Sequence, residues 1–446
     1  MGLSVQTPPP ALAGWLIGAL KAEQVQIVAW RKLSGGAIQE NWAFDAKVRG
    51  GPKAGLLEAV LRTDAPTGVA VSHGRAEEFA ILSAAHGAGV RVPEPIGLCA
   101  DPGVLGKPFY VMRRIDGVAL GHILVSDTKW PGDRADLART LGRELAKIHT
   151  VRPPRADLSF LPVPDKAPAL AAIADYRAWL DTYRQSRPAL ELGLRWLERN
   201  APPAGGIALC HRDYRTGNYM ADARGLTGVI DWEFAGWSDP DEDIGWFCAK
   251  CWRFGQIGRE AGGIGARADF YAGYTEIAGR TPDPARIRYW EIMAHARWAV
   301  IALQQGERFV GGGEASLDLA LTGRRIAELE YEMLALIDAD APAGALPAGL
   351  PTDLPEGAAL LALAAQVFAR EMQPVLPDDR RLQGLMLASA LATAGRSLPP
   401  AAAASGDRAL VDKIRSGKFD ADAGFHGALR EEARARTRVA NPKYPF

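Results

Sequence analysis

Cys210-His211-Arg212-Asp213-Tyr214-Arg215-Thr216-Gly217-Asn218, followed by Val229-Ile230-Asp231-Trp232-Glu233, is the stretch on which the reading of this chain turns. It spells H-x-D-x4-N, and a second Asp stands 18 residues after the first, at the end of an apolar strand. Phosphoryl transfer needs such a set: a carboxylate to orient the acceptor hydroxyl and take its proton, an amide oxygen for magnesium, and a further carboxylate between the metal and the β/γ phosphates. With 7 His, 29 Asp and 4 Asn in the chain, the first three positions should arise by accident only roughly 0.004 times. The bland alternative is that Asp213 and Asn218 merely cap a loop.

Upstream, extended apolar runs (Val25 to Trp30, Asn41 to Val48, Gly55 to Leu61) alternate with turns at Gly35-Gly36 and Gly50-Gly51, the pattern of an antiparallel meander. A helix is expected from about Ala76 to His86, Pro93 and Pro95 stop it, and Pro108 to Met112 reads as another strand. Beyond Asp116-Gly117 the composition turns helical. Leu137, Leu141, Leu145 and Ile148 recur at helical spacing, as do Ile173, Tyr176, Trp179, Leu180 and Tyr183. A β-rich interruption covers Ile207 to Trp232, and helical patterns resume through Leu336. Residues 341–355 hold four prolines and read as a linker, and 356–446 read as a helical domain without a chemical cluster. The expected division is therefore 1–115, a nucleotide-binding lobe; 116–340, a catalytic and substrate lobe; 341–355, a linker; and 356–446, an all-α domain.

The 446 residues are 48% hydrophobic and 23% charged, and 52 Lys plus Arg balance 52 Asp plus Glu. An ordinary soluble globular chain follows, with no overall field to favour nucleic acid or an acidic membrane. No apolar run approaches the ~18 residues of a membrane span. The apolar segment Pro8 to Leu20 lacks the basic start of a secretory signal, so a cytoplasmic location is expected. Four cysteines are too few for a disulfide framework, and the lone Cys248-x-x-Cys251 pair reads as buried structure rather than a metal or redox site.

The H-x-D-x4-N motif and the following Asp231 resemble the aminoglycoside phosphotransferase and choline kinase-like families, over about residues 25 to 335. The resemblance implies an α/β (α+β), two-lobed protein-kinase-like fold, with a small antiparallel-sheet N-lobe and a helical C-lobe. It implies ATP and Mg2+ as cofactors, Asp213 as catalytic base, and Asn218 and Asp231 as metal ligands. His211 and Asp243, the latter in Asp239-Pro240-Asp241-Glu242-Asp243, would support the catalytic loop. On the nucleotide side, Ser34, Gly35 and Gly36 would approach phosphates through backbone N–H groups. Backbone groups of Arg113 and Ile115 would meet the adenine edge. Arg62 stands where these families place a lysine, with Glu78 as its partner sixteen residues on. Arginine keeps the charge but binds as a planar fork. The V-L-R sequence at this strand is similar to the kinase-like domains fused to acyl-CoA dehydrogenases. Arg215 would reach the transferred phosphoryl group or an anionic substrate.

The partner implied is a small molecule bearing a hydroxyl, with no nucleic acid and no membrane; the C-terminal helical domain is open to homo- or hetero-association. From Asp241 to Asp340, 16 acidic residues face 11 basic ones, too small an excess to mark a site for cationic antibiotics. Trp246, Trp252, Tyr271, Tyr274, Tyr289, Trp290 and Trp298 suit an apolar or amphipathic acceptor, though most are expected in the core. A hydroxyacyl thioester is the favoured acceptor. The alternatives are an aminoglycoside-type antibiotic kinase and a catalytically silent nucleotide-binding module. A protein kinase is disfavoured, because Asp231-Trp232-Glu233 replaces D-F-G and no A-P-E follows.

Overall fold

The computed structural model describes residues 7–33, 39–64, 72–203, 205–398 and 405–446. The chain divides into two compact bodies, Met1–Asp165 with Ala204–Ile287, and Lys166–Pro203 with Arg288–Phe446. Its elements begin with α1 (Pro10–Leu20), β1 (Gln24–Lys32), β2 (Gln39–Arg49), β3 (Gly55–Asp64), α2 (Arg75–Gly87), β4 (Pro95–Cys99), α3 (Pro102–Leu105) and β5 (Phe109–Arg113). Then come α4 (Gly121–Leu124), α5 (Arg134–Ile148), α6 (Pro168–Thr182), α7 (Pro188–Arg199), β6 (Ala208–Cys210), β7 (Tyr219–Asp222), β8 (Gly225–Val229), β9 (Gly236–Ser238), α8 (Pro240–Cys248) and α9 (Arg267–Ala278). The remainder is helical: α10 (Pro284–Val310), α11 (Leu317–Gly323), α12 (Ile326–Ile337), α13 (Gly357–Val367), α14 (Arg381–Ser397), α15 (Arg408–Arg415) and α16 (Ala423–Ala440).

In the first body, five strands form an antiparallel sheet in the order β1-β2-β3-β5-β4. The apolar stretch near the N-terminus is α1, whose Leu12, Leu16 and Leu20 pack with Phe44, Leu57, Leu61 and Phe109 of the sheet. Four-residue spacing puts those leucines on one helical face. Side chains alternate along a strand, so burying Leu57, Ala59 and Leu61 against α1 turns Arg62 to the opposite face, beside its register partner Asn41. The β-rich interruption resolves into two small ribbons, β6 with β9 and β7 with β8. They bracket the segment 211–218.

The helix expected from Leu137 to Ile148 is α5, and those leucines are fully buried. It packs against α9 at very short range. A Cβ placed on Gly142 would lie 2.1 Å from the Phe270 carbonyl oxygen, and one on Gly273 only 1.8 Å from that of Arg139. These two glycines let the backbones touch, and the close approach seats His149, just past the end of α5, against Tyr274 of α9 at 2.9 Å.

In the second body, α7 packs with α12, α15 and α16. In the segment 341–355, Asp353 is buried, 3.2 Å from Arg187 and 2.6 Å from Arg436, and both arginines also pair with Glu330. Prolines announce irregular backbone, and irregular backbone can still be buried. Residues 166–203 and 288–340 belong to the same compact body as the C-terminal helices. Among the described residues, no helix is long and apolar enough to cross a membrane.

The α5–α9 crossing supplies a test. Gly273→Ala forces a methyl group into the Arg139 carbonyl and should destabilise the protein by about 2 kcal/mol or more, read as a lower denaturation midpoint in chemical unfolding; an unchanged midpoint would contradict the close packing.

Candidate active site

The loop from His211 to Asn218 is held from below by one carboxylate. Asp243 sits in the first turns of α8, which Asp239 caps by accepting from the Asp241 N–H and which Pro240 starts. It is fully buried, and its oxygens accept the backbone N–H groups of His211 and Arg212, both at 2.7 Å. His149 adds a contact at 3.2 Å. Burial alone would raise the pKa of Asp243, but the His149 hydrogen bond and charge, with the backbone donors, hold it below the ordinary range. Those donors fix Arg212 in the left-handed region, at φ 59°, a conformation that a side chain adopts only where the surroundings impose it. His211 Nε2 donates to the Ile230 carbonyl at 3.0 Å, tying the loop to the strand end just before Asp231. Cys210 lies in the same buried cluster as His149 and Asp243, and its thiol donates to the Asp239 carbonyl.

The three oxygen-bearing residues named from sequence come together here. Asn218 Nδ2 donates to Asp213 Oδ2 at 2.5 Å and to the Asp213 carbonyl at 2.9 Å, and the Asn218 carbonyl accepts from the Ile230 N–H at 2.9 Å. Asp231 follows directly, with φ 69°. Partial burial pushes the Asp231 carboxyl up, but the charge and hydrogen bond of Arg62, with smaller help from His211 and Arg215, bring it below the usual value. An ionised carboxylate beside an amide oxygen is a hard-oxygen donor set that fits magnesium. Asp213 itself is touched by Arg215 Nε at 3.0 and 3.2 Å and by Trp246 Nε1 at 3.0 Å.

Arg62 joins the sheet to this group. Its Nη2 lies 2.6 Å from Asp231 Oδ1 and 3.0 Å from Glu78 Oε1, while Nε reaches Glu78 Oε2 at 3.2 Å. The planar fork therefore spans both carboxylates at once. Glu78 is further held by Arg75. A second link runs from Gln39, whose side-chain amide donates to Glu233. Glu233 is buried, and burial first, the neighbouring Asp231 charge second, push its carboxyl up to about 8.

Ser34, Gly35 and Gly36 lie outside the described residues. At the proposed adenine edge, the Arg113 N–H donates to the Glu94 carbonyl at 2.9 Å, which removes that donor from a nucleotide base. Ile115 projects over Gly228, where a Cβ would come within 2.7 Å of its Cδ1. Trp246, His149, Gln39 and Glu233 were absent from the sequence-derived site. Only Trp246 carried a usable signal, standing three residues after Asp243 on the same helix.

Mouse acyl-CoA dehydrogenase family member 10 is 30% identical over 188 residues, 40% of this chain and 17% of that protein. Rat acyl-CoA dehydrogenase family member 11 is 23% identical over 268 residues, 56% of this chain and 34% of that protein. The chain thus spans about a third or less of the length of these curated relatives. A crystal structure from Ralstonia eutropha, named for aminoglycoside phosphotransferase, shares the fold with a TM-score of 0.57 at 21% identity, covering 72% of this chain and 95% of that one. Residues 29–290 match the family described as phosphotransferase enzyme family, and since that is more than half of the sequence, the chain belongs to the phosphotransferase enzyme family.

Proposed function

We propose that this phosphotransferase uses ATP and magnesium to phosphorylate a hydroxyl group of a small metabolite, with Asp213 as the catalytic base. The observation that carries the reading is the convergence of Asp213, Asn218 and Asp231 with Arg62. Asp213 would orient the acceptor hydroxyl and take its proton as the new O–P bond forms and the bond to the departing ADP breaks. Asn218 and Asp231 would hold the metal, which supplies charge neutralisation between the β and γ phosphates. Arg62, steadied by Glu78, would bind the α and β phosphates, and Arg215 would turn from Asp213 toward the transferred group. Among the nucleotide-side residues, Ser34, Gly35 and Gly36 would approach the phosphates and Ile115 the base.

The acceptor is best read as neutral or anionic, and a hydroxyacyl thioester fits. Desolvated polycations require uncompensated carboxylates. In the first body, four of the acids after Asp231 are engaged by arginines: Asp241 by Arg280 at 2.7 Å and Arg286 at 2.8 Å, Glu242 by Arg212 at 3.4 Å, Glu260 by Arg267 at 3.3 Å, and Glu276 by Arg143 at 2.5 Å. Beside Asp213 stands Arg215, its guanidinium 4.7 Å from the ring centre of Trp252. An aromatic face that could receive a quaternary ammonium group is thereby covered by a cation of the protein's own. The names of the curated relatives point the same way.

Three outcomes are expected. Asp213→Asn should lower kcat by about 10²–10⁴-fold with ATP binding retained in calorimetry; unchanged transfer would show that Asp213 is not the base and would favour a silent module. Arg62→Ala should raise KM for ATP about tenfold or more, with Arg62→Lys intermediate. In a panel of hydroxyacyl-CoAs, choline-like alcohols and aminoglycosides, ATP consumption should be stimulated by the first group; stimulation by aminoglycosides alone would reject the acceptor class.

A further inference from the structure

The geometry points to Trp246 as a positioning residue that fixes the orientation of the Asp213 carboxylate, a role that rests on reading Asp213 as the base. Asp243 and Trp246 stand three residues apart on α8 and therefore share one face of that helix. Asp243 clamps the backbone N–H groups of residues 211 and 212. The Trp246 indole N–H donates to Asp213 Oδ1 at 3.0 Å. A single helix thus fixes both the main chain leading into the base and the side chain of the base itself.

The other two donors on Asp213 cannot serve this purpose through a reaction cycle. Arg215 reaches both oxygens, but it is a long side chain with 26% of its surface exposed, and in the proposed mechanism it turns to the phosphoryl group. Its departure frees lone pairs on the carboxylate for the acceptor hydroxyl. Asn218 would hold the metal through its amide oxygen, so its place beside Asp213 would depend on the metal. Trp246 alone is independent of the nucleotide: it is 2% exposed, and its ring packs 5.2 Å from that of Trp252. Such pairing is not automatic for a buried indole. Trp130 and Trp232 are buried in the same body, and among the described residues no acceptor meets their N–H groups. Rate is sensitive to this kind of support, since a misplacement of about 1 Å at a reacting group can cost roughly a hundredfold.

Trp246→Phe keeps the ring and removes only the donor. In the full chain, with Mg-ATP and the acceptor from the panel above, kcat should fall about 10- to 100-fold while KM for ATP stays within about twofold. The melting temperature should stay within about 2 °C, and Trp246→His, which restores a ring N–H, should recover part of kcat. An unchanged kcat, or a kcat lost only in step with stability, would overturn the proposal. A second readout needs no turnover. In the spectrum of 15N-tryptophan-labelled protein, the indole resonance missing from Trp246→Phe should move when Asp213 is replaced by Ala; a resonance that stays in place overturns the proposal. Wild-type protein that consumes no ATP with any hydroxyl acceptor counts against the kinase reading, and the indole arm then still decides the contact.

Discussion

A buried carboxylate accepting two consecutive backbone N–H groups is the constraint on which this site depends. Removing an ion such as Asp243 from water is costly unless donors surround it, and here His211, Arg212 and His149 do so. The exchange works in both directions. The donors keep Asp243 ionised, and the ionised group holds the loop in a left-handed turn at Arg212 that the chain would not adopt unaided. Asp213 follows that turn, so the main chain that carries it is held by a residue thirty positions later.

Arg62 extends the same logic to the sheet. A guanidinium almost fully removed from solvent must be paired, and its fork matches two carboxylates where an ammonium would offer a compact point charge. Glu78 comes from α2 and Asp231 from the segment after β8. With Gln39 on Glu233, strands β2 and β3 are both bonded to the segment that carries Asp231. Arginine in place of lysine therefore preserves the charge and adds a second point of attachment.

On the acceptor side the arginines are as informative as the acids. A sequence count of charges between 241 and 340 leaves a small acidic excess, yet pairing cancels it locally: Asp241, Glu242, Glu260 and Glu276 each face an arginine. Arg215 over Trp252 adds positive charge beside Asp213. Charge totals measure composition, whereas recognition depends on which charges remain uncompensated.

The sequence by itself determined the spacing of the candidate residues and the local elements. His211, Asp213, Asn218 and Asp231 are legible because a tight loop and a strand end fix their spacing, and α5 is legible because its apolar face repeats every turn. The helix α8 announces itself through Asp239, Pro240 and the acids of its first turn. Only the tertiary structure decided which partners those residues meet. His149 is 94 positions from Asp243, Gln39 is 194 from Glu233, and the Trp246 indole looks like core until its N–H is seen on Asp213. The same holds for Asp353, which lies buried between two arginines, one 166 positions before it and one 83 positions after it. Local pattern records the backbone geometry that neighbours in sequence impose on one another; long-range pairing depends on how faces are brought together, and no spacing rule encodes that.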